Sequence, residues 1–217
     1  MNLKNLAVAL MFVLAPVQAS LAADADPLWT KVIASNQETK KWAAKDVEQL
    51  IHATKDGDPT KTITIKKQLS GWEKGKAQYT VLSITPPPKD ASKKPVAFDL
   101  EEMFAPAEAE FFSPNAKFKR SDNQSLNGKP SVVFEITQSA GTLRIWADPA
   151  SGSIQKRVLE MSMPLAFEGT ITTLYQMEAN SPSLPIESES KIDIKIPFKK
   201  AKLEMKDSFM NWVPQAK

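Results

Sequence analysis

Few residues in this chain have the type and spacing to do covalent or metal chemistry. His52 is the only histidine, so no histidine pair within the chain can hold a metal ion. Asp56, Asp58 and Thr60 have the opening spacing of a calcium loop. The later ligands and the closing glutamate are missing, so Asp56-Gly57-Asp58-Pro59 reads as helix punctuation. No serine stands in a Gly-x-Ser-x-Gly elbow with a base to activate it. Asp99, Glu101, Glu102, Glu108 and Glu110 form an acidic cluster. Paired carboxylates can hydrolyse glycosides, but on a solvated loop the cluster reads as an acidic rim. Asn123-Gln124-Ser125 fits a glycosylation sequon, a match short enough to arise by chance. No glycine-rich phosphate loop is present. The expectation is a chain that is not an enzyme, with no catalytic residue, no metal ligand and no cofactor.

The apolar inventory is more informative. Met161, Met163, Met177, Met205 and Met210 fall late in the chain, beside Phe167, Tyr175, Phe198 and Phe209. Methionine is flexible and polarisable, and it suits adaptable apolar surfaces as well as ordinary cores. The elements that must position these residues are mostly strands. Alternation of apolar and polar residues predicts strands at 62–66, 77–84, 132–137, 142–146, 157–163, 170–177, 191–196 and 201–206. Short links, Ser139-Ala140-Gly141 and Asp148-Pro149-Ala150-Ser151-Gly152, give antiparallel neighbours, so the second half reads as a meander. Before the strands, Ser35-Asn36-Gln37-Glu38 has capping-box spacing. It predicts a helix over 38–54 with Trp42, Ala43, Val47, Leu50 and Ile51 on one side. A shorter segment with Trp29 precedes it over 25–33. Two stretches interrupt the sheet: a proline-rich extended loop over 85–95, and an apolar segment over 104–114 that reads as a short helix or covering loop. Sixteen prolines against seven glycines make the connections stiff.

The start of the chain reads as an export signal. Lys4, an apolar run over 6–14, and the small-residue site Ser20-Leu21-Ala22 have the order of a secretory signal peptide over 1–22. The apolar run is shorter than the ~20 residues that span a bilayer, so the product is expected to be periplasmic and not membrane-spanning. Residues 23–217 are long enough for one domain with its own core. A formal net charge of +3 does not point to nucleic acid. Cysteine is absent, so the exported fold is held by its core without disulfides. A sheet of eight or more strands has more apolar face than one helix can hide. It must close on itself, pack on a second sheet, or keep a cavity.

Several segments resemble the periplasmic outer-membrane lipoprotein-sorting and lipoprotein-carrier superfamily, of LolA/LolB type. They are Ser83-Ile84-Thr85-Pro86-Pro87-Pro88-Lys89-Asp90, Asp99-Leu100-Glu101-Glu102-Met103-Phe104-Ala105-Pro106, and the hairpin from Leu143-Arg144-Ile145-Trp146-Ala147-Asp148-Pro149 to Ile154-Gln155-Lys156-Arg157. The resemblance implies an α+β fold, mainly antiparallel β. Its sheet is half-open and curved, an incomplete barrel, with an N-terminal helix and a short lid segment over the concave face. It further implies a non-catalytic carrier or binder of lipid acyl chains or lipoproteins, acting as a monomer. The candidate cavity lining is Phe134, Ile136, Leu143, Ile145, Leu159, Met161, Met163, Ile171, Tyr175, Ile194, Leu203 and Met205. The candidate plug is the helix face of Trp42, Val47 and Ile51. The alternative is an envelope protein-interaction or stress-sensing module on the same scaffold.

Overall fold

The computed structural model describes residues 26–55, 58–88, 109–139, 141–164, 166–177, 181–196 and 199–215. The candidate signal over 1–22, Asp99, Glu101, Glu102, Glu108, Phe198, residues 89–95 of the proline-rich segment and 104–108 of the 104–114 segment lie outside them. Among the described residues, one helix, α1 (Pro27–Thr39), precedes ten strands. These are β1 (Trp42–Lys55), β2 (Lys61–Glu73), β3 (Lys76–Thr85), β4 (Phe118–Leu126), β5 (Lys129–Gln138), β6 (Gly141–Ala147), β7 (Ile154–Met163), β8 (Phe167–Met177), β9 (Ser183–Ile196) and β10 (Lys199–Pro214). All belong to one curved, open antiparallel sheet in the order β3-β2-β1-β10-β9-β8-β7-β6-β5-β4. From β4 to β10 it is an uninterrupted meander. The β1–β10 pairing, from Trp42 opposite Pro214 to Lys55 opposite Ala201, joins the first three strands to it.

The predicted helix over 38–54 is strand β1, and this is the main correction to the sequence reading. The helix lies earlier. Asp26 caps it, with Oδ1 accepting from the backbone N–H of Leu28 at 2.8 Å and of Trp29 at 3.1 Å. Pro27 occupies the first helical position, where a missing N–H costs nothing. Ser35 and Glu38 therefore belong to the last turn of α1 and cap no N-terminus. Trp42, Val47 and Ile51 are not a helical plug: they lie on β1, the strand between β2 and β10. Positions 47, 49, 51 and 53 of β1 point to the inner face, as Ile51 faces Met205 and Ala53 faces Leu203 across the ladder. Strand β4 is the second element without a sequence signal. Its residues Lys119 to Ser125 are all exposed at a sheet edge, and such a strand has no reason to alternate.

The helix covers the β4–β7 end of the inner face. Leu28, Trp29 and Val32 pack with Val132, Phe134, Ile136, Leu143, Ile145 and Ile154 in one core. Trp29 stacks on Phe112 and meets Phe118 and Phe134 at tilted angles, and its indole N–H donates to the Ser113 carbonyl at 3.1 Å. The described part of the 104–114 segment, 109–114, opens with a single helical turn over 109–111. It contributes Phe111 and Phe112, both buried, to this core. The Asp148–Gly152 turn docks under the helix. Gly152 has φ +74°, and a Cβ there would stand 2.5 Å from Lys31 Cβ, so both the turn and the close approach require glycine.

Candidate functional site

The candidate lining residues do not form one surface. Phe134, Ile136, Leu143 and Ile145 are at most 2% exposed and are filled side-chain core beneath α1. Leu159 and Tyr175 pack against that same core. Met161 is buried opposite Gly169, where the missing side chain leaves room for its methyl group. Met163 stands at the end of β7 and is 56% exposed. The rest belong elsewhere. Leu203 and Met205 join Ile51, Ile65 and Ile192 in a second cluster, with Ile171, Ile194, Phe167, Ala53, Ile63 and Ile84 packed against it.

Every described member of this second cluster comes from a strand. The register arranges them in rows across the sheet. Ile171, Ser190, Met205, Ile51 and Ile63 face one another in turn across β8, β9, β10, β1 and β2. Gly169, Ile192, Leu203 and Ala53 make the next row. The result is an apolar wall on the half of the sheet away from α1. The opposite face of the same strands is ionic. Lys206 pairs with Glu187 at 2.7 Å, Lys195 with Glu168 at 2.7 Å, Lys202 with Asp193 at 4.0 Å and Lys66 with Glu48 at 3.4 Å. Glu187 and Glu168 each hold their lysine ammonium above its usual pKa. Further along, Arg144 bridges Glu135 and Glu160 at 2.8 Å each. The hydrogen bond from Arg144 holds Glu135 below the usual carboxylate range. A half-open depression of about 250 Å³ over β8, β9 and β10 is lined by Glu168, Thr170, Lys191, Asp193, Lys202 and Glu204 with Gly169, Ile192 and Leu203. Its polar rim distinguishes it from an enclosed apolar cavity.

Beside the apolar wall runs a polar row that alternation analysis misses. Arg157, Thr173, Ser188, Asp207 and Gln49 are register partners in succession from β7 to β1. Thr173 and Ser188 hydroxyls meet at 3.2 Å, and Gln49 Nε2 donates to Asp207 Oδ1 at 2.8 Å. Thr173, Ser188, Ser190 and Gln49 are all buried. The sequence signal that would reveal them is a polar residue at an inward position of an otherwise alternating strand. For β9 and β10 that signal is legible once the inner positions are set by Ile192, Ile194, Leu203 and Met205.

The residues with potential for other chemistry are accounted for by local structure. His52 Nδ1 lies 2.9 Å from Thr62 Oγ1 at an exposed position, a cross-strand pair between β1 and β2. Glu110 is exposed. Among the described residues, no group of three or more His, Cys, Asp or Glu side chains is placed to hold a metal ion. None of their helices is long and apolar enough to cross a membrane.

No family model matches this chain, and no curated protein matches it. Among solved structures, it is similar to a LolA superfamily protein from Nitrosomonas europaea, at 12% identity over 85% of this chain and 94% of that one, with a TM-score of 0.35. It is also similar to a DUF1329 family protein from Desulfovibrio piger, at 9% identity over 86% and 91%, with a TM-score of 0.44. A third similar chain is described as an outer membrane lipoprotein-sorting protein domain, from Vibrio parahaemolyticus, at 10% identity over 86% and 92%, with a TM-score of 0.33. The likeness concerns the fold alone.

Proposed function

We propose that this chain is an exported, periplasmic, non-catalytic binder of lipid acyl chains, carried either free or as the anchors of lipoproteins. The observation that carries the proposal is the sorting of the two faces of β8, β9, β10, β1 and β2. One face is a ladder of ion pairs, and the other is an apolar wall whose described members are all strand residues. A helix fills the neighbouring half of the same inner face; on the other half Ile51, Ile65, Ile192, Leu203 and Met205 are buried among strand residues, and the guest is placed against them. Ile171, Ile194, Leu203 and Met205 are the lining residues retained from the sequence reading, joined by Ile51 and Ile192. Each methylene removed from water contributes ~0.8 kcal/mol, so an ordinary fatty chain contributes on the order of 10 kcal/mol gross. Ordering the chain and the wall lowers that figure.

The test is native mass spectrometry of the protein exported to the periplasm of a bacterial host. A population carrying one or more lipid masses, released by organic extraction, is the expected result. Only the bare polypeptide mass, under conditions that retain lipid on a known binder, would remove the proposal. The second reading, a protein-interaction module, is favoured by one observation. Strand β3 is a sheet edge and leaves Val81 40% and Leu82 59% exposed, which suits pairing with a strand of an envelope protein. Capture of an envelope protein that survives removal of lipid and is lost when Val81 and Leu82 are replaced by lysine supports that reading.

A further inference from the structure

The polar row beside the apolar wall contains an acceptor that no described residue satisfies. Gln49 is 4% exposed, and its Oε1 has no hydrogen-bond partner among the described residues. Its Nε2 is committed to Asp207 Oδ1 at 2.8 Å. Asp207 Oδ1 accepts from the amide nitrogen, which leaves the amide oxygen as the unpartnered group. A buried carbonyl without a donor carries its full desolvation cost, and such groups are rare in folded proteins. Ile51 and Met205 lie two residues further along β1 and β10 from Gln49 and Asp207, on the same face. Two strand residues span about 7 Å, so the open acceptor borders the apolar wall directly.

We infer that Gln49 Oε1 is a head-group site: the guest is an amphiphile whose polar end carries an O–H or N–H donor. The donor reaches Gln49, and the chain runs over Ile51, Met205, Ala53 and Leu203. The inference rests on the apolar wall holding an acyl chain, and adds to it which head groups are accepted. A head group with acceptors alone, such as an ether or a carboxylate, leaves Oε1 unpaired and adds a second unpaired oxygen beside it. The two hydroxyls of Thr173 and Ser188, further along the row, share one hydrogen bond at 3.2 Å.

The experiment compares hexadecanol with hexadecyl methyl ether as displacers of a fluorescent acyl probe. Both have the same chain, and only the alcohol can donate. The wild-type protein should prefer the alcohol by about tenfold, the effect of one hydrogen bond to a buried acceptor. Gln49→Met keeps the side-chain length, removes the acceptor and should bring the two affinities within about twofold. Equal affinities in the wild type would overturn the inference and mean that water alone satisfies Gln49; this comparison needs no variant. A preference for the alcohol that survives in Gln49→Met would also overturn it. Failure of both compounds to displace, or of the probe to bind, would instead remove the acyl-chain reading beneath it.

Discussion

Asp26 uses its two carboxylate oxygens on two different elements. Oδ1 caps α1 through the Leu28 and Trp29 N–H groups, and Oδ2 accepts from Arg120 Nη1 of β4 at 2.7 Å. Burial pushes the carboxyl upward, but the hydrogen bonds from Arg120, Trp29 and Leu28 outweigh it and hold the pKa below the ordinary value. A carboxylate with a lowered folded pKa stabilises the fold fully above its unfolded pKa. That stability is lost as pH falls through the folded value. Asp26→Ala should therefore cost about 1 kcal/mol near neutral pH by chemical denaturation, the usual loss for an N-cap. The difference from wild type should shrink as pH falls below the carboxylate range. A difference that is the same at neutral and at acid pH would mean that the charge of Asp26 is irrelevant. At this scale the sequence was only partly legible. Asp26-Pro27 is a cap followed by proline at the first helical position, a signal as strong as the Ser35–Glu38 spacing. Gln49 was not legible, because a glutamine on a presumed helix looks solvated and only the β1 register turns it inward.

At the scale of elements, β1 shows why a helix was read where a strand stands. Trp42, Ala43, Val47, Leu50 and Ile51 satisfy helical spacing. The inner series Val47, Gln49, Ile51, Ala53 is broken as an apolar alternation by the polar Gln49. The residue that disguises the strand is thus the one proposed to recognise a head group. The outer residue Leu50 adds to the disguise by standing among polar neighbours. Strand β4 failed for a different reason: an exposed edge needs no apolar side, and seven of its nine residues are exposed. The meander strands β5 to β8 were legible because their inner side chains bear on a core. The β1 assignment predicts a hydrogen-exchange pattern. Paired on both sides by β2 and β10, the backbone amides from Val47 to Ile51 should be among the slowest in the chain. Amides of β4, a sheet edge, should exchange faster by orders of magnitude. Fast exchange over Val47–Ile51 with protection in β4 would contradict the strand order.

The whole molecule divides its inner face between two solutions to one problem. Ten described strands share one sheet, and the thirteen-residue helix packs on one end of its inner face. Over β4 to β7, α1 with Phe111 and Phe112 fills the space, and Phe134 and Ile145 are completely buried there. Over β8, β9, β10, β1 and β2, the described apolar residues are strand residues only. The sequence conveyed the meander. It could not convey which half the helix covers, because that follows from the β1–β10 pairing of residues 146 to 172 positions apart. Binding of a fluorescent acyl probe to two neighbouring variants tests the central claim most directly. Ile171 lies on the apolar wall, and Thr172, the next residue, points to the other face. A polar group on the wall meets a chain that cannot hydrogen-bond to it. The account predicts probe binding by the wild type, at least tenfold weaker binding by Ile171→Asn, and binding within about twofold of wild type by Thr172→Asn, with both variants unfolding cooperatively. Absence of probe binding by the wild type, or equal binding by folded Ile171→Asn and Thr172→Asn, would contradict it.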